Sequence, residues 1–251
     1  MNKLELTRFP QTDYAFKESI NTLCTNLTFA GEEKRIIEVT SCQAHEGKSF
    51  MSLCMQRNLA RLGHTTALVD MDLRKSQFKS RYGMEFIEGN GHGVTHYLAG
   101  MCSLNDVVYE TDVQNAYMIP VGQTVSNSLA LLSTSRLSRM LKELREKFDF
   151  VIVDAPPVGV IIDAAEIAKS CNATIFVVKY NTIGRRELAE AKEQILRSGC
   201  DVLGAVLNDV AFDTLSSKKY YNKSYYSYYD SDYYKPSSSG RQGSHRESKA
   251  K

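Results

Sequence analysis

Short apolar runs, each followed by a segment with helical spacing, constrain the fold of this chain more than any other feature. Residues 150–153 read Phe-Val-Ile-Val without a polar interruption and predict the clearest strand. Strands that are apolar on both faces are typical of parallel sheets covered by helices. The pattern predicts strands at residues 36–39, 67–69, 117–119, 150–153, 174–179 and 202–207. It predicts helices at residues 11–29, 48–62, 129–147, 162–170 and 185–198.

These elements predict an α/β fold with a doubly wound, mostly parallel sheet flanked by helices. Ligands of such sheets bind at the carboxyl ends of the strands. We expect three parts: an N-terminal helical segment at residues 1–30, the α/β domain at 31–215 and a disordered tail at 216–251. The tail is expected to be disordered because it has no aliphatic residue larger than Ala250.

Composition narrows the class of protein. The hydrophobic fraction of 43% is ordinary for a soluble globular chain. The longest apolar stretches have the length of core strands and are too short to span a bilayer. None of the six cysteines forms a CxxC pair or shows metal-ligand spacing. These observations favour a cytoplasmic protein and leave open that it docks on a membrane partner.

A loop between the first predicted core strand and the next helix has the features of a phosphate-binding site. It ends in Glu46-Gly47-Lys48-Ser49. Backbone N–H groups of such a loop, together with the helix N-terminus, hold phosphate oxygens. Lys48 is then placed to reach the β- and γ-phosphates of a nucleotide, and the Ser49 hydroxyl to bind Mg²⁺.

Carboxylates follow two other predicted strands. Asp70 and Asp72 come directly after the strand at 67–69, and Asp154 follows the strand at 150–153. One carboxylate of the first pair could orient or deprotonate a nucleophile while the other holds the water shell of a metal. Asp154 is placed like the second metal-side carboxylate of a nucleotide hydrolase. Each could also be an ordinary solvated strand end or helix cap, but three such motifs together favour a nucleotide site.

The C-terminal segment concentrates tyrosine. Eight of the fourteen tyrosines fall in it: Tyr220, Tyr221, Tyr225, Tyr226, Tyr228, Tyr229, Tyr233 and Tyr234. No apolar neighbours accompany these rings, so the segment is expected to be read or modified by another site. From Ser216 onward eight Lys and Arg stand against three Asp and Glu, a charge of +5, whereas the remainder carries 23 against 26, or −3. A basic tail of this kind is either a solvated terminus or a contact for nucleic acid or acidic lipid.

The three motifs and the tail resemble those of the bacterial tyrosine kinases of capsular and exopolysaccharide synthesis, cytoplasmic type. The resemblance rests on the phosphate loop, Asp70-x-Asp72-x-Arg74 and Asp154-x-x-Pro157, and extends over roughly residues 11–234. It also includes, more distantly, the deviant-Walker partition and division-site ATPases of the MinD and ParA type. The resemblance implies a P-loop NTPase fold.

The resemblance also implies ATP and Mg²⁺ as cofactors. Glu46, Gly47, Lys48 and Ser49 would then bind the phosphates, and Asn208 in the motif at residues 204–208 would contact adenine.

For catalysis the resemblance implies three main residues, Lys48, Asp70 and Asp72. Asp70 is the expected base, Ser49, Asp72 and Asp154 are expected at the metal, and Arg74 belongs to the motif without an assigned role.

The implied activity is ATP-dependent phosphorylation of the eight tail tyrosines, which would regulate polysaccharide synthesis and export. Implied partners are the cytoplasmic segment of a membrane adaptor, a neighbouring copy of the chain and a cognate tyrosine phosphatase, with no nucleic acid. The implied location is the cytoplasm, at the inner face of the membrane where the adaptor recruits the chain.

The chain departs from the family pattern at two places. His45 stands where the family loop has glycine, and a positive φ there would be strained by roughly 1–2 kcal/mol. Asn21 and Cys24 stand where the family has two arginines used in ring assembly. These departures keep open a degenerate nucleotide-binding regulatory module with weak or no phosphate transfer. A ParA- or MinD-like ATPase is a further alternative.

Overall fold

The computed structural model describes residues 2–210, in which one nine-stranded sheet carries helices on both faces. The strands are β1 Asn2–Leu6, β2 Ile36–Ser41, β3 Thr66–Asp70, β4 Met84–Glu88, β5 Tyr109–Glu110, β6 Ala116–Ile119, β7 Phe150–Asp154, β8 Ala173–Lys179 and β9 Asp201–Asn208. The helices are α1 Tyr14–Thr28, α2 Lys48–Arg61, α3 Phe78–Tyr82, α4 Val94–Leu98, α5 Ser128–Leu132, α6 Ser135–Lys147, α7 Asp163–Ala168 and α8 Arg185–Arg197. A 3₁₀ turn covers Leu104–Asp106.

The strand order is β4-β1-β5-β6-β3-β7-β2-β8-β9. All neighbours from β6 to β9 run parallel, while β1 with β4 and β5 with β6 are antiparallel. The predicted doubly wound, mostly parallel α/β sheet is therefore confirmed. Because β2, β3 and β7 lie side by side and parallel, their carboxyl ends meet at one edge.

Each face of the sheet has its own hydrophobic core. Ile37 and Val39 point into one core, while Ile36 contributes to the other, as the two-residue repeat of a strand requires. The first core lies under α1 and α2, and the second under α6, α7 and α8. Burial on both faces explains why these strands lack polar alternation.

The six predicted core strands are present, but the predicted helix at 129–147 is wrong in its continuity. The chain forms α5 and α6 instead, with Thr134 extended between them at φ −86° and ψ 152°. The Thr134 hydroxyl donates to the Leu131 carbonyl at 2.8 Å. Ser and Thr side chains compete with the helix for backbone groups in this way, and the cluster at residues 133–135 ends one helix and starts the next.

Strand β1 was not predicted. Leu4 and Leu6 are its only buried apolar residues, too few for a recognisable alternation. The strand pairs with β4 on one side and β5 on the other. The residues before α1 are therefore part of the sheet.

Asn21 and Cys24, which stand where arginines were expected, pack helix α1 on α2. The Asn21 amide donates to Glu18 at 3.1 Å and accepts a hydrogen bond from Asn58 of α2. Cys24 is fully buried, and its thiol donates to the Met55 carbonyl at 3.7 Å. These side chains therefore serve contacts within the fold.

The tyrosines from Tyr220 to Tyr234, and with them the predicted tail, lie outside the described residues. In the part that is described, no helix is both long and apolar enough to cross a membrane.

Candidate active site

The loop between β2 and α2 is held in shape by the buried side chain of Glu46. Its carboxylate accepts hydrogen bonds from the backbone N–H of Gln43 at 2.7 Å and of Lys179 at 3.2 Å. The sequence predicted that Glu46 binds the nucleotide. The Glu46 side chain is hydrogen-bonded within the loop and to the end of β8, and its binding of nucleotide stays a prediction.

Gly47 is a position that only glycine fills without strain. Its φ is 97°, and a Cβ there would lie 2.1 Å from Nδ2 of Asn208. That Asn208 amide donates to the Glu46 carbonyl at 2.9 Å. Gly47 is the N-cap of α2 and provides no side-chain cap, so the first amides of this 14-residue helix remain available to an anion.

His45 has a φ of 66°, so the condition for strain at this position is met. Its side chain is exposed. Two residues of the loop, His45 and Gly47, thus have a left-handed backbone conformation, and of the two only the glycine adopts it without strain.

Lys48 is a buried cation surrounded by acids. Its Nζ lies 3.3 Å from Oδ2 of Asp72, 3.9 Å from Oδ1 of Asp154 and 3.4 Å from the Ser49 hydroxyl. Burial by itself lowers the pKa of a lysine, but Asp154, Asp72 and Asp70 outweigh it and raise the pKa of Lys48. The ammonium group therefore stays charged.

Asp154 ends β7 and is 1% exposed. Ser52 of α2 donates to its Oδ1 at 3.3 Å, whereas Oδ2 is buried without a hydrogen-bond partner among residues 2–210. Burial raises the pKa of Asp154, and the charge of Lys48 opposes that rise. A buried carboxylate oxygen without a donor is costly unless a ligand or an ion satisfies it.

Asp70 lies opposite Asp154 in the pairing of β3 with β7 and is fully buried. Its two oxygens accept hydrogen bonds from the Ser76 hydroxyl and from the backbone N–H of Asp72. Burial, followed by the negative charge of Asp154, raises the pKa of Asp70 well above its ordinary value. Of the two carboxylates that follow β3, Asp72 lines the cleft, whereas Asp70 does not.

Arg74 is held by two side chains that the sequence did not single out. Its Nε donates to Oδ2 of Asp163 at 3.0 Å and to the Ser128 hydroxyl at 2.9 Å. Its Nη2 donates to Oδ1 of Asp163 at 3.4 Å. Both partners are first residues of helices, α7 and α5, and no local pattern connects them with Arg74.

A cleft of about 410 Å³ is lined by Gly47, Lys48, Ser49 and Asp72, whereas Asp70 and Asp154 are not part of its lining. Cationic side chains other than Lys48 also line it: Arg74, Lys75 and Arg81. Tyr82, at its wall, is 1% exposed, and burial raises its pKa to about 12. A pocket with several cations around one anion-binding loop suits a polyphosphate.

The donor set fits Mg²⁺ bound together with phosphate. Across the described part of the chain, no group of three or more His, Cys, Asp or Glu side chains has the arrangement to hold a metal ion. Mg²⁺ keeps several waters and commonly uses one or two carboxylates with substrate phosphates. Ser49, Asp72 and the partnerless oxygen of Asp154 supply that kind of incomplete site.

The chain is similar in sequence to known proteins. A family model described as an AAA domain matches residues 34–197. The chain is 36% identical over 195 residues to the tyrosine-protein kinase CpsD of Streptococcus agalactiae serotype Ia, which covers 78% of this chain and 83% of that protein.

Solved structures give the same result. The kinase domain of the Escherichia coli tyrosine kinase ETK superposes with a TM-score of 0.73 at 28% identity, over 79% of this chain and 77% of that one. The septum site-determining protein MinD of Pyrococcus horikoshii, complexed with Mg-ADP, shares the fold, with a TM-score of 0.57 at 22% identity over 69% of each chain. The predicted P-loop fold of the MinD type is thus confirmed, and the chain belongs to the bacterial tyrosine-protein kinases.

Proposed function

We propose that this kinase transfers the terminal phosphate of ATP, with Mg²⁺, to its own C-terminal tyrosines and thereby regulates the synthesis and export of a capsular or extracellular polysaccharide. The acceptors would be the eight tyrosines from Tyr220 to Tyr234. The observation that carries the proposal is the position of Lys48, a buried cation at the start of α2 that lies between Asp72 and Asp154.

Three residues would hold the metal: Ser49, Asp72 and Asp154. Mg²⁺, when bound, neutralises charge on the phosphates. Lys48 would contact the β- and γ-phosphates, replacing its attraction to Asp72 by a contact with the substrate. The amides after Gly47 would bind phosphate oxygens, and Asn208 would both support the loop and border the adenine.

A general base is needed to accept the proton of the tyrosine hydroxyl. The family resemblance favours Asp70 as this base. Asp70 is fully buried and does not line the cleft, so a tyrosine hydroxyl would reach it only if the cleft opened toward it. Asp72 already lines the cleft and is the alternative acceptor.

The end of the described chain supports the tail as substrate. β9 ends at Asn208, whose amide contacts the phosphate loop, so the chain leaves the sheet beside the cleft. A flexible chain of about 12 residues, the sequence separation between Asn208 and Tyr220, would span roughly 20 Å. Tyrosines farther along reach farther, and we propose that they enter the cleft of a neighbouring copy.

Partners of this activity follow from family membership. We propose that the cytoplasmic segment of a membrane adaptor activates the kinase and recruits it to the inner face of the membrane. A tyrosine phosphatase would remove the phosphates. The neighbouring copy would dock without the two family arginines, because Asn21 and Cys24 are committed to packing α1 on α2.

A nucleotide-binding regulatory module with little phosphate transfer is the second candidate. The positive φ of His45 favours it, because strain in the phosphate loop of roughly 1–2 kcal/mol weakens binding about tenfold. The intact set of Lys48, Asp72 and Asp154 opposes it.

Intact mass after incubation with Mg²⁺ and ATP tests the proposal, with and without the adaptor segment. We expect successive additions of one phosphate, mapped to Tyr220–Tyr234, in the wild type and in Lys192→Met, an exposed lysine on α8. Lys48→Met should show none. Retained ATP binding without any added mass, even with the adaptor, would favour the regulatory module.

A further inference from the structure

The guanidinium of Arg74 is fixed by acceptors from two other elements. Asp163 takes hydrogen bonds from its Nε at 3.0 Å and its Nη2 at 3.4 Å, and Ser128 takes one from Nε at 2.9 Å. The Ser128 hydroxyl also donates to Oδ2 of Asp163. Such a fork against a carboxylate restricts both the position and the plane of an arginine.

The two acceptors are buried, while the arginine is not. Asp163 is 2% exposed and Ser128 is fully buried, but the Arg74 side chain is 38% exposed and lines the cleft. A buried carboxylate is costly unless it is paired, and the hydrogen-bond partners of Asp163 within residues 2–210 are Arg74 and Ser128. The carboxylate thus serves one cation at the edge of the active site.

Part of the guanidinium remains free for a ligand. Among the side chains that the structure describes, none accepts a hydrogen bond from Nη1 of Arg74. Arg74 follows Asp72 by two residues, and Asp72 lies 3.3 Å from the Lys48 ammonium. The free donors therefore share the cleft with the cation expected at the β- and γ-phosphates.

We propose that Arg74 binds the phosphoryl group during its transfer, and that Asp163 and Ser128 are positioning residues which hold Arg74 for that contact. In the step, a bond forms between the tyrosine oxygen and the γ-phosphorus, and the bond from that phosphorus to the β–γ bridging oxygen breaks. The leaving ADP keeps the electron pair, and the hydroxyl proton passes to a carboxylate. Arg74 donates hydrogen bonds to the oxygens on which charge is redistributed.

The alternative is a purely structural contact in which Asp163 only joins α5 and α7 to the loop after β3. Loss of a purely structural contact lowers the melting temperature but leaves phosphate transfer by the folded enzyme unchanged. A positioning residue affects phosphate transfer only through Arg74. The two roles therefore differ in a double-mutant cycle.

The experiment measures kcat and KM for ATP in full-length Arg74→Ala, Asp163→Asn and the double variant, together with melting temperature. We expect kcat to fall on the order of 100-fold in Arg74→Ala and about tenfold or more in Asp163→Asn. In the Arg74→Ala background, Asp163→Asn should have no further effect on kcat. An equal fall in both backgrounds would overturn the proposal, as would a wild-type kcat in Asp163→Asn.

Two controls keep the result interpretable. Glu166→Gln changes a carboxylate on the same helix that pairs with Lys169 at the surface, and it should leave kcat and KM unchanged. If Asp163→Asn does not fold, Ser128→Ala replaces it in the same cycle.

Nucleotide binding gives a readout separate from turnover. Arg74→Ala should weaken the binding of ATP more than that of ADP, because the contact is with the terminal phosphate, and equal weakening of both would contradict the assignment. The inference rests on phosphate transfer in this cleft but not on which tyrosine accepts. Absence of transfer in the wild type would count against the proposed function, whereas an additive cycle in an active enzyme would count against this inference alone.

Discussion

Two buried acids lie on neighbouring strands of the same sheet, Glu38 on β2 and Asp154 on β7. Each has one carboxylate oxygen without a hydrogen-bond partner among residues 2–210, and burial raises the pKa of both. Asp154 is at the end of its strand, 3.9 Å from the ammonium of Lys48. Glu38 is in the middle of its strand, where Thr174 donates to it at 2.7 Å, and its pKa rises to about 8.

The comparison shows that position along the strand decides what a buried acid can do. At the carboxyl edge, the helix that follows β2 brings a cation to Asp154, and the acid becomes part of a charged site. Inside the strand, no cation among residues 2–210 pairs with Glu38, and burial raises its pKa so that the acid is most stable when it keeps its proton. The same burial thus gives a carboxylate paired with a cation in one place and a neutral core residue in the other.

Replacing the cation is the strongest way to test this difference. We expect Lys48→Met to lower phosphate transfer on the order of 1,000-fold, because it removes the charge that balances both Asp72 and the phosphates. Glu38→Gln should transfer phosphate at the wild-type rate. Steady-state incorporation of phosphate into tyrosine measures both, and equal losses would remove the distinction between the two acids.

The two carboxylates that end β3 sharpen the comparison within the site. Asp72→Asn should lower kcat on the order of 100-fold, because Asp72 lines the cleft beside Lys48. If Asp70 is the base, Asp70→Asn should lower kcat at least as much with little change in the binding of ATP. A nearly normal kcat in Asp70→Asn would assign the proton to Asp72 instead.

Glu38 should make stability depend on pH. Its folded pKa of about 8 lies above the ordinary value of 4.5, so the folded state holds the proton more tightly. Stability contributed by the protonated form is present below pH 4.5 and is lost as the pH rises toward 8. Since each pKa unit corresponds to about 1.4 kcal/mol, the effect amounts to several kcal/mol.

Glu38→Gln removes this dependence. In denaturant unfolding, the unfolding free energy of the variant should therefore rise relative to that of the wild type between pH 5 and pH 8. The other titratable groups near Glu38 are the thiols of Cys171 and Cys200. The surface variant Glu190→Gln, which breaks an exposed pair with Arg186, should follow the wild type at every pH. A constant difference between Glu38→Gln and the wild type would mean that Glu38 is already charged in the fold.

Removing the hydroxyl group that donates a hydrogen bond to each acid should give the smallest effects. Thr174→Val takes away the hydrogen bond of Glu38 and should cost about 1–3 kcal/mol of unfolding free energy. Ser52→Ala takes one from Asp154, which keeps Lys48 nearby, so the cost should be lower. Chemical denaturation of the two variants side by side tests the order, and a larger cost for Ser52→Ala would contradict it.

The sequence contained enough to predict the central strands and the residues around Lys48. Unbroken apolar runs predict parallel strands, and the ends of such strands share one edge, so Asp72 and Asp154 had to approach the loop. The short strands outside the parallel centre of the sheet were harder to predict. β1 buries only Leu4 and Leu6, and its pairing with β4 depends on a segment about 80 residues away.

The side-chain contacts that support the site could not be predicted. Ser128 is 54 positions and Asp163 is 89 positions from Arg74, and each looks like an ordinary helix start. Glu46 belonged to the recognised motif, but its stabilisation of the loop depends on a hydrogen bond from the backbone N–H of Lys179 at the end of another strand. Local patterns predict elements, whereas these contacts arise only from how the elements pack.

The most direct test of the account mixes two full-length variants with Mg²⁺, ATP and the adaptor segment. Lys48→Met has acceptors but no functional cleft, and a variant with Phe at all eight tyrosines from Tyr220 to Tyr234 has a cleft but no acceptors. Intact mass should show phosphate accumulating on Lys48→Met only in the mixture, at those tyrosines. An unchanged mass of Lys48→Met in the mixture, while wild type alone gains phosphate, would contradict transfer between copies; phosphate at other residues would contradict the tail as substrate.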